Sequence, residues 1–407
     1  PGGRARALAG ARARGVTADT RLVTPTLATC LGITAGAHIA VYLLNATLPL
    51  HVVALGGSKT QVGLLFSVSG MVSMVLRPLV GGWIDRYGFR PVMLPGALVL
   101  VATLLVLPLA ATPVAFIALM GGIGLGNGLI STGAGVLAAQ ASPPARRGEA
   151  LGIYYVATSI SFSVGPPLGF ALYAGGGMRR CFLGAAAIGL GIGVLILSLR
   201  VAAPRASDAP RFRWLSRRAL PAAATVIAVN VGYSSIYAFL PLYALAAGLD
   251  GNLGWFYALF SACIIVGRLT LSRCSDRIGR ARVIVPAIAA TGLSYLVLAV
   301  PPRPASLVAG AVLLGAGVAL FYPTLLALLV DRVPQGERGS AIGTLSGSFD
   351  LGNVVGSFLV GVTVERVSYA AGFRVAALGA LLGLLLFLLA ERRPSGPSVL
   401  PRPVAGV

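Results

Sequence analysis

The sequence predicts an all-α integral membrane protein, with twelve transmembrane helices in two pseudo-symmetric six-helix halves. Composition is the first observation behind this. Residues are 57% hydrophobic and only 11% charged, and mean hydropathy is +0.88. A soluble domain carries about 25% charged residues, while runs of about 20 apolar residues cross a bilayer as helices. The second observation is a short charged hairpin that occurs twice. Gly81-Gly82-Trp83-Ile84-Asp85-Arg86-Tyr87-Gly88 is echoed 191 residues later by Ser272-Arg273-Cys274-Ser275-Asp276-Arg277-Ile278-Gly279. The third is that this offset holds elsewhere. Arg77 matches Arg268, Pro143 matches Pro334, Arg147-Gly148 matches Arg338-Gly339, Gly152 matches Gly343 and Gly165 matches Gly356. One register kept over so many landmarks marks a duplicated unit.

Taken in order, residues 1–24 form an arginine-rich cytoplasmic tail without the apolar core of a cleavable signal peptide. Six spans are predicted near 25–50, 60–83, 91–111, 114–139, 148–173 and 180–199, which makes 25–199 the N-terminal half. Residues 200–219, with Arg200, Arg205, Arg211, Arg213, Arg217 and Arg218 against Asp208, read as a basic cytoplasmic linker. Spans near 220–246, 253–274, 283–301, 305–330, 340–363 and 371–390 form the C-terminal half, 220–390, and 391–407 is a second cytoplasmic tail. The arginines crowd the tails, the linker and the hairpins, whereas the opposite loops hold only Lys59, Arg179, Arg180, Arg303, Arg366 and Arg374. Such a bias places both termini in the cytoplasm. The expected setting is a multi-pass protein of the cell (inner) membrane.

The net charge of +21 belongs to these loops and not to a nucleic-acid-binding face. The four cysteines, Cys30, Cys181, Cys263 and Cys274, show no metal or redox spacing. No phosphate-binding Gly-x4-Gly-Lys-Ser/Thr stretch is present. No cofactor, metal or nucleic acid is expected; the partners are the lipid bilayer, a small-molecule substrate and protons, and the chain is expected to act as a monomer. An intramembrane hydrolase would need a nucleophile and a base. The two histidines, His38 and His51, lie on one span or its outer end, and there is no Gly-x-Ser-x-Gly elbow. An enzyme is therefore not expected.

Two six-helix halves, a basic central loop and a duplicated Asp-Arg-x-Gly hairpin resemble the major facilitator superfamily, over essentially the whole chain after residue 24. In that family the hairpin after helix 2 reads Gly-x-x-x-Asp-Arg-x-Gly-Arg-Arg. Gly81, Asp85, Arg86, Gly88 and Arg90 fit, and Phe89 departs; the second copy keeps Asp276, Arg277, Gly279, Arg280 and Arg282. The resemblance implies that Asp85 latches the halves. A carboxylate is favoured at a helix N-terminus, and span 11 starts at Gly339-Ser340, with Asp276 facing Gly148 in the same way. The hairpins read equally as plain topology signals, although topology alone requires neither Asp nor Gly.

Exporters of the superfamily carry Gly-x8-Gly-x3-Gly-Pro-x2-Gly-Gly on helix 5. This chain has Gly152, Ser161, Gly165, Pro166 and Gly169, then Phe170, a partial match; span 11 keeps Gly356 with Ser357 in place of the proline. The resemblance thus implies the drug and sugar efflux, proton-antiporter branch. The arginine that many such exporters carry in helix 4 is missing between Met120 and Gly128.

Polar groups inside spans are costly and are functional candidates by default. Asp350 is the one acid deep in a span, and it is the first candidate for carrying protons; His38 is the second. Asp350 reads alternatively as a brace to Ser348 or Asn353. Sites in such folds lie near the midplane between repeats. His38, Asn45, Asn127, Asn230, Tyr233, Tyr237 and Tyr322 are the candidates to line a central cavity suited to an uncharged or amphipathic molecule. Arg77 and Arg268 are expected to snorkel or to pair with the hairpin acids. The function expected is secondary active export of a small organic compound by alternating access in antiport with protons. The alternatives are proton-coupled uptake of a sugar or similar solute and, less favoured for its short loops, a non-transporting sensor.

Overall fold

A computed structural model describes residues 24–141, 147–199, 201, 216–249, 252–334 and 337–392; the side chains of 147–152, 155, 271–277, 338 and 339 lie outside that description. Most of both tails and of the linker fall outside it too. Among the described residues the chain is helical throughout. The helices are α1 (Pro25–Ala54), α2 (Lys59–Tyr87), α3 (Phe89–Val106, with a 3-10 turn Leu107–Leu109) and α4 (Pro113–Gln140). The helical stretch Arg147–Ser198 is interrupted at Gly176–Gly177, which separates α5 (147–175) from α6 (178–198). Then come α7, α8 (Gly254–Ile278), α9 (Arg280–Leu298), α10 (Pro304–Arg332), α11 (Arg338–Arg366) and α12 (Tyr369–Arg392). Ten helical stretches are long and apolar enough to cross a membrane, one of them covering both α5 and α6, and the apolar part of α8, Gly254–Thr270, is shorter. Together these make the twelve spans.

Local chemistry sets the ends. Thr24 Oγ1 accepts from Leu27 N at 3.2 Å, Ser58 and Gln61 form a reciprocal capping box, and Thr112 caps Ala115. Both hairpins turn on a glycine in the left-handed region, Gly88 at φ 85° and Gly279 at φ 101°. A side chain is strained there, which explains why the repeat keeps glycine after Asp-Arg.

The expected single span 220–246 differs from what is found. α7 consists of three pieces, Leu220–Asn230, Tyr233–Ala238 and Leu240–Ala246. The first break falls at Gly232, where a Cβ would stand 2.5 Å from the Tyr295 ring. At the second, Pro241 supplies no N–H to the preceding turn.

Within each half, small residues bring backbones together. In the N-terminal half α1 packs on α5 and α2 on α4; in the C-terminal half α7 packs on α11 and α12, and α9 on α10. The halves meet along two seams, α2 with α11 and α5 with α8. Large apolar side chains such as Leu98, Val194, Val266 and Leu378 face outward, as a lipid-facing surface requires.

Candidate functional site: two seams and an aromatic plug

The α2–α11 seam is built from small residues. A Cβ at Gly63 would collide with the Ser357 carbonyl, and one at Gly70 would lie 2.8 Å from Val354. Ser67 Oγ donates to Val354 O at 2.8 Å and shares a hydrogen bond with Ser357 Oγ at 2.8 Å. At the end away from the hairpins Lys59 N donates to the Glu365 carboxylate. At the hairpin-side end of this closed stretch, Arg77 meets Asp350, Nε to Oδ2 at 2.6 Å and Nη2 to Oδ1 at 3.3 Å. The Asp350 side chain is 15% exposed and that of Arg77 34%. Beyond the pair, towards the hairpins, the seam parts: a side chain placed at Gly81, Gly82, Gly343 or Gly347 would meet no atom within 4 Å.

This corrects the expected environment of Arg77, which reaches across the halves to Asp350. Nor is Asp350 braced by its helical neighbours. Ser348 Oγ donates to Thr344 O at 2.7 Å and Asn353 Nδ2 to Phe349 O at 3.0 Å, each on its own helix.

The α5–α8 seam repeats the design. Gly254, the counterpart of Gly63 at the 191-residue offset, lies against Pro167, its would-be Cβ at 3.2 Å from Pro167 Cα. Arg268, the counterpart of Arg77, donates from Nη1 to Ser159 Oγ at 2.6 Å. The offset relates Ser159 to Asp350 as well. One pseudo-symmetric contact is therefore ionic in one seam and a hydroxyl hydrogen bond in the other.

Aromatic rings fill the midplane between the seams. Tyr42 stacks on Tyr237 (5.8 Å between centroids, 6° between planes), and Tyr237 stacks on Tyr257 (5.8 Å, 8°). Phe162 of α5 stands edge-on to Tyr42, Tyr237 and Phe260 at 4.8–4.9 Å. Tyr233 and Tyr322 flank Phe349 at 5.8 and 5.4 Å. Elements of both halves thus share one plug.

The predicted site residues divide accordingly. His38, Asn45, Asn127, Tyr233 and Tyr322 are half-buried within their helices, as lining groups would be; Asn230 and Tyr237 are buried. Asn230 donates to Val226 O of its own helix at 3.1 Å. His38 Nδ1 lies 2.8 Å from Thr34 O. A carbonyl only accepts, so Nδ1 carries the proton and the neutral ring presents Nε2 as an acceptor.

Of the hairpin residues, Asp85, Arg86 and Arg90 are exposed. Asp85 makes no hydrogen bond or ion pair among the described residues. Gly81 and Gly88 lie in the first hairpin and Gly279 in the second. Arg280 Nη1 meets Asp331 of α10 at 2.7 Å. The side chains of Asp276, Arg277 and Gly152 lie outside the described residues. Gly165 and Gly169 place α5 against α1, with a Cβ at Gly165 2.7 Å from Tyr42 Cβ and one at Gly169 in collision with the Leu43 carbonyl. Pro166 follows inside the same helix. The helix-5 glycines therefore pack within their own half.

Sequence reasoning missed Ser159, Tyr42 and Phe162. The repeat could have found two of them, since the offset leads from Asp350 to Ser159 and from Tyr233 to Tyr42. Nothing in the sequence singles out Phe162.

Comparison with known proteins agrees with this architecture. The Major Facilitator Superfamily profile matches residues 30–269 and 250–406. An uncharacterised MFS-type transporter of Salmonella typhimurium is 26% identical over 356 residues, 85% of this chain and 91% of that protein. The uncharacterised MFS-type transporter YhhS of Escherichia coli is 26% identical over 380 residues, 88% of this chain and 90% of that one. Among solved structures, nucleoside transporter NupG superposes with TM-score 0.72 at 16% identity, covering 90% of this chain and 99% of its own. A peptide transporter POT superposes with TM-score 0.74 at 16% identity, covering 90% and 94%. Those two likenesses speak to the fold alone. A profile matching nearly the whole chain, on two six-helix halves joined at paired seams, places this protein in the Major Facilitator Superfamily of multi-pass membrane transporters.

Proposed function

We propose that the protein exports a small organic compound across the cell membrane in exchange for protons, by alternating access and as a monomer. The observation that carries this reading is the Arg77–Asp350 pair. It joins the two halves at the inner limit of the closed seam, and it contains the one acid deep in a span. Protonating Asp350 removes the attraction and leaves Arg77 facing a neutral carboxyl. For a pair of this exposure the change is worth roughly 1–3 kcal/mol, between the ranges for exposed and buried pairs. That is enough to shift a two-state equilibrium by about 5- to 150-fold.

The cycle follows from the two ends of the seam. In this conformation the stretch from Lys59 to Arg77 is closed and the hairpin side is parted. With the hairpins in the cytoplasm, as the arginine bias predicts, this is the inward-open arrangement. Substrate bound beside the pair separates Arg77 from Asp350 and loosens the outer seam; in the outward-open state Asp350 takes up a proton from outside as the substrate leaves, and it gives that proton to the cytoplasm when the pair with Arg77 re-forms. The opposite state is then held by Asp85 at the start of α11, where a helix N-terminus favours a carboxylate. His38, with Nε2 free to accept, is the second proton carrier. Export, as against uptake, follows from the partial Gly165-Pro166-Gly169 signature on α5. The hairpins, Asp85 to Arg90 and Asp276 to Arg280, are read as the gating elements on the cytoplasmic face.

The test is a compound screen in inverted vesicles carrying a pH-sensitive dye. A compound that releases protons on addition, and accumulates in an Asp350-dependent manner, supports coupled export. Asp350→Asn should bind that compound and fail to concentrate it. Normal pumping with unchanged pH dependence in that variant would rule out Asp350 as the coupling acid. Accumulation in the opposite direction would assign uptake.

A further inference from the structure

Basic residues are sparse at the end of the molecule away from the hairpins, and Arg179-Arg180 is the one place there where two follow each other. They sit at the Gly176–Gly177 break between α5 and α6, and their side chains part ways. Arg180 folds back over the break: a Cβ at Gly176 would collide with its side chain, and one at Gly175 would lie 2.8 Å from its Nη1. Arg179 is exposed and lines a cavity of about 610 Å³.

That cavity lies among the ends of α1, α3 and α6, and its walls include His51, Leu105, Leu109, Phe182 and Leu183. Its size falls inside the range of about 300–1,000 Å³ that small-molecule sites enclose. The walls are graded. Arg179 begins α6, and Phe182 and Leu183 lie one turn deeper; Leu109 closes the turn after α3, and Leu105 lies about one turn below it. Leu105, Leu109 and Leu183 are exposed, on the surface that faces lipid. The polar groups stand at the rim. His51 is edge-on to Phe116 at 5.4 Å, and neither its ring nitrogens nor Arg179 make a hydrogen bond or ion pair among the described residues. The two acids of residues 25–199, Asp85 and Glu149, are both on the hairpin side. Within its own half Arg179 therefore has no carboxylate to meet.

The same place in the C-terminal half is filled. At the 191-residue offset Met178 and Phe182 correspond to Tyr369 and Phe373, and His51 corresponds to Tyr243 one residue off that register. Tyr243 stacks on Tyr369 at 5.3 Å and 13°, and on Phe373 at 6.0 Å. Three rings take up the space there, where the N-terminal half has one ring, a methionine and a histidine. Arg179 answers to Ala370. Open space and a free cation thus occur together, and they belong to this half's sequence and not to the fold.

A ligand that fits has an anionic head and an apolar body. It comes from the bilayer, because the apolar walls face lipid. Arginine forks onto phosphate oxygens, and anionic headgroups attract basic groups at a membrane surface. We infer that the cavity holds an anionic phospholipid of the leaflet away from the hairpins, with its phosphodiester on Arg179 and His51 and the upper part of an acyl chain along Leu105 and Leu183. Every one of these residues belongs to the N-terminal half, so the lipid moves with that half.

The experiment uses the full chain, delipidated in an uncharged detergent, and three probes: dioleoylphosphatidylglycerol, dioleoylphosphatidylcholine and glycerophosphate. Binding is titrated by native mass spectrometry, with melting temperature as a second readout. Phosphatidylglycerol should bind saturably and raise the melting temperature. Phosphatidylcholine, with the same chains and no net charge, should bind about fivefold more weakly, the ordinary worth of one arginine against anionic lipid. Glycerophosphate, an anion without chains, should not bind in the same range. Arg179→Gln, at an exposed position that spares the fold, should bring phosphatidylglycerol down to the level of phosphatidylcholine, and Arg179→Lys should restore part of the preference. Leu183→Trp puts a ring into the cavity and should weaken both lipids alike. Arg303→Gln, at the same end of the other half, should change nothing. Equal binding of the two lipids, a preference that survives Arg179→Gln, an equal loss in Arg303→Gln, unchanged binding in Leu183→Trp, or glycerophosphate as tight as the lipid would overturn the site. Proton-coupled export is measured separately, so either reading can fail while the other stands.

Discussion

Arg77 and Arg268 stand at equivalent places in the two halves, yet Arg77 reaches a carboxylate across its seam and Arg268 a hydroxyl, both at 2.6 Å. The surrounding geometry is alike. Both seams begin at a glycine in close contact, Gly63 in one and Gly254 in the other. What differs is one side chain, Asp350 against Ser159. A carboxylate changes charge with pH and a serine hydroxyl does not, so the Arg77 contact carries a titratable partner that the Arg268–Ser159 contact lacks. A second comparison has the same form. Arg280 pairs with Asp331 at 2.7 Å, while the equivalent positions in the first half hold Phe89 and Gln140. The departure of Phe89 from the hairpin pattern coincides with loss of the acid that a basic residue there would meet.

The comparison can be broken most forcefully at the glycines. Gly63→Leu drives a side chain into the Ser357 backbone and should keep the α2–α11 seam from closing; an overpacked contact costs about 1–3 kcal/mol or more. Spin labels at Leu55 and Val367 should then report a longer outer distance by double electron–electron resonance. The matching Gly254→Leu, whose nearest obstacle is Pro167 at 3.2 Å, should shift labels at Arg179 and Leu245 less. Next in size is Asp350→Asn. It should lengthen the Leu55–Val367 distance as acid does in the parent, and should abolish further change on acidification. The sign follows from the pair: the attraction is present while Asp350 is ionised and is lost as pH falls through its titration.

Ser159→Asp sharpens the comparison from the other side. It places a carboxylate within reach of Arg268, and should strengthen the α5–α8 seam by roughly 1 kcal/mol at neutral pH and make the Arg179–Leu245 distance more acid-sensitive than in the parent. An unchanged pH profile in that variant would mean that the second seam cannot act as the first does. The smallest effect is expected of Ser67→Ala. It removes the hydrogen bonds to Val354 O and Ser357 Oγ and should loosen the outer end by about 1 kcal/mol, seen as a modest fall in melting temperature.

The spans, the two halves and the glycine in each hairpin were legible in the sequence. Apolar runs, a repeat offset and a positive φ are consequences of local chemistry. The need of Asp350 for a partner was legible too, because a lone acid in an apolar helix is costly wherever it points. Its partner was not. Arg77 lies 273 residues away, and no local rule says which of several deep or hairpin groups it will face. The breaks in α7 likewise depend on a ring from another helix, Tyr295, lying over Gly232. The helix-5 glycines pack within their own half, and the close approach at Gly165 is decided by Tyr42 of α1.

The sequence by itself determined the membrane class, the duplication and the positions where polar chemistry must be accommodated. Those follow from transfer free energies and backbone preferences that act residue by residue. Only the tertiary structure decided which polar groups meet: Arg77 with Asp350, and Arg268 with Ser159. Such pairings depend on the relative height and rotation of helices that are remote in the chain. These are set by many small contacts at once, so no single stretch of sequence encodes them.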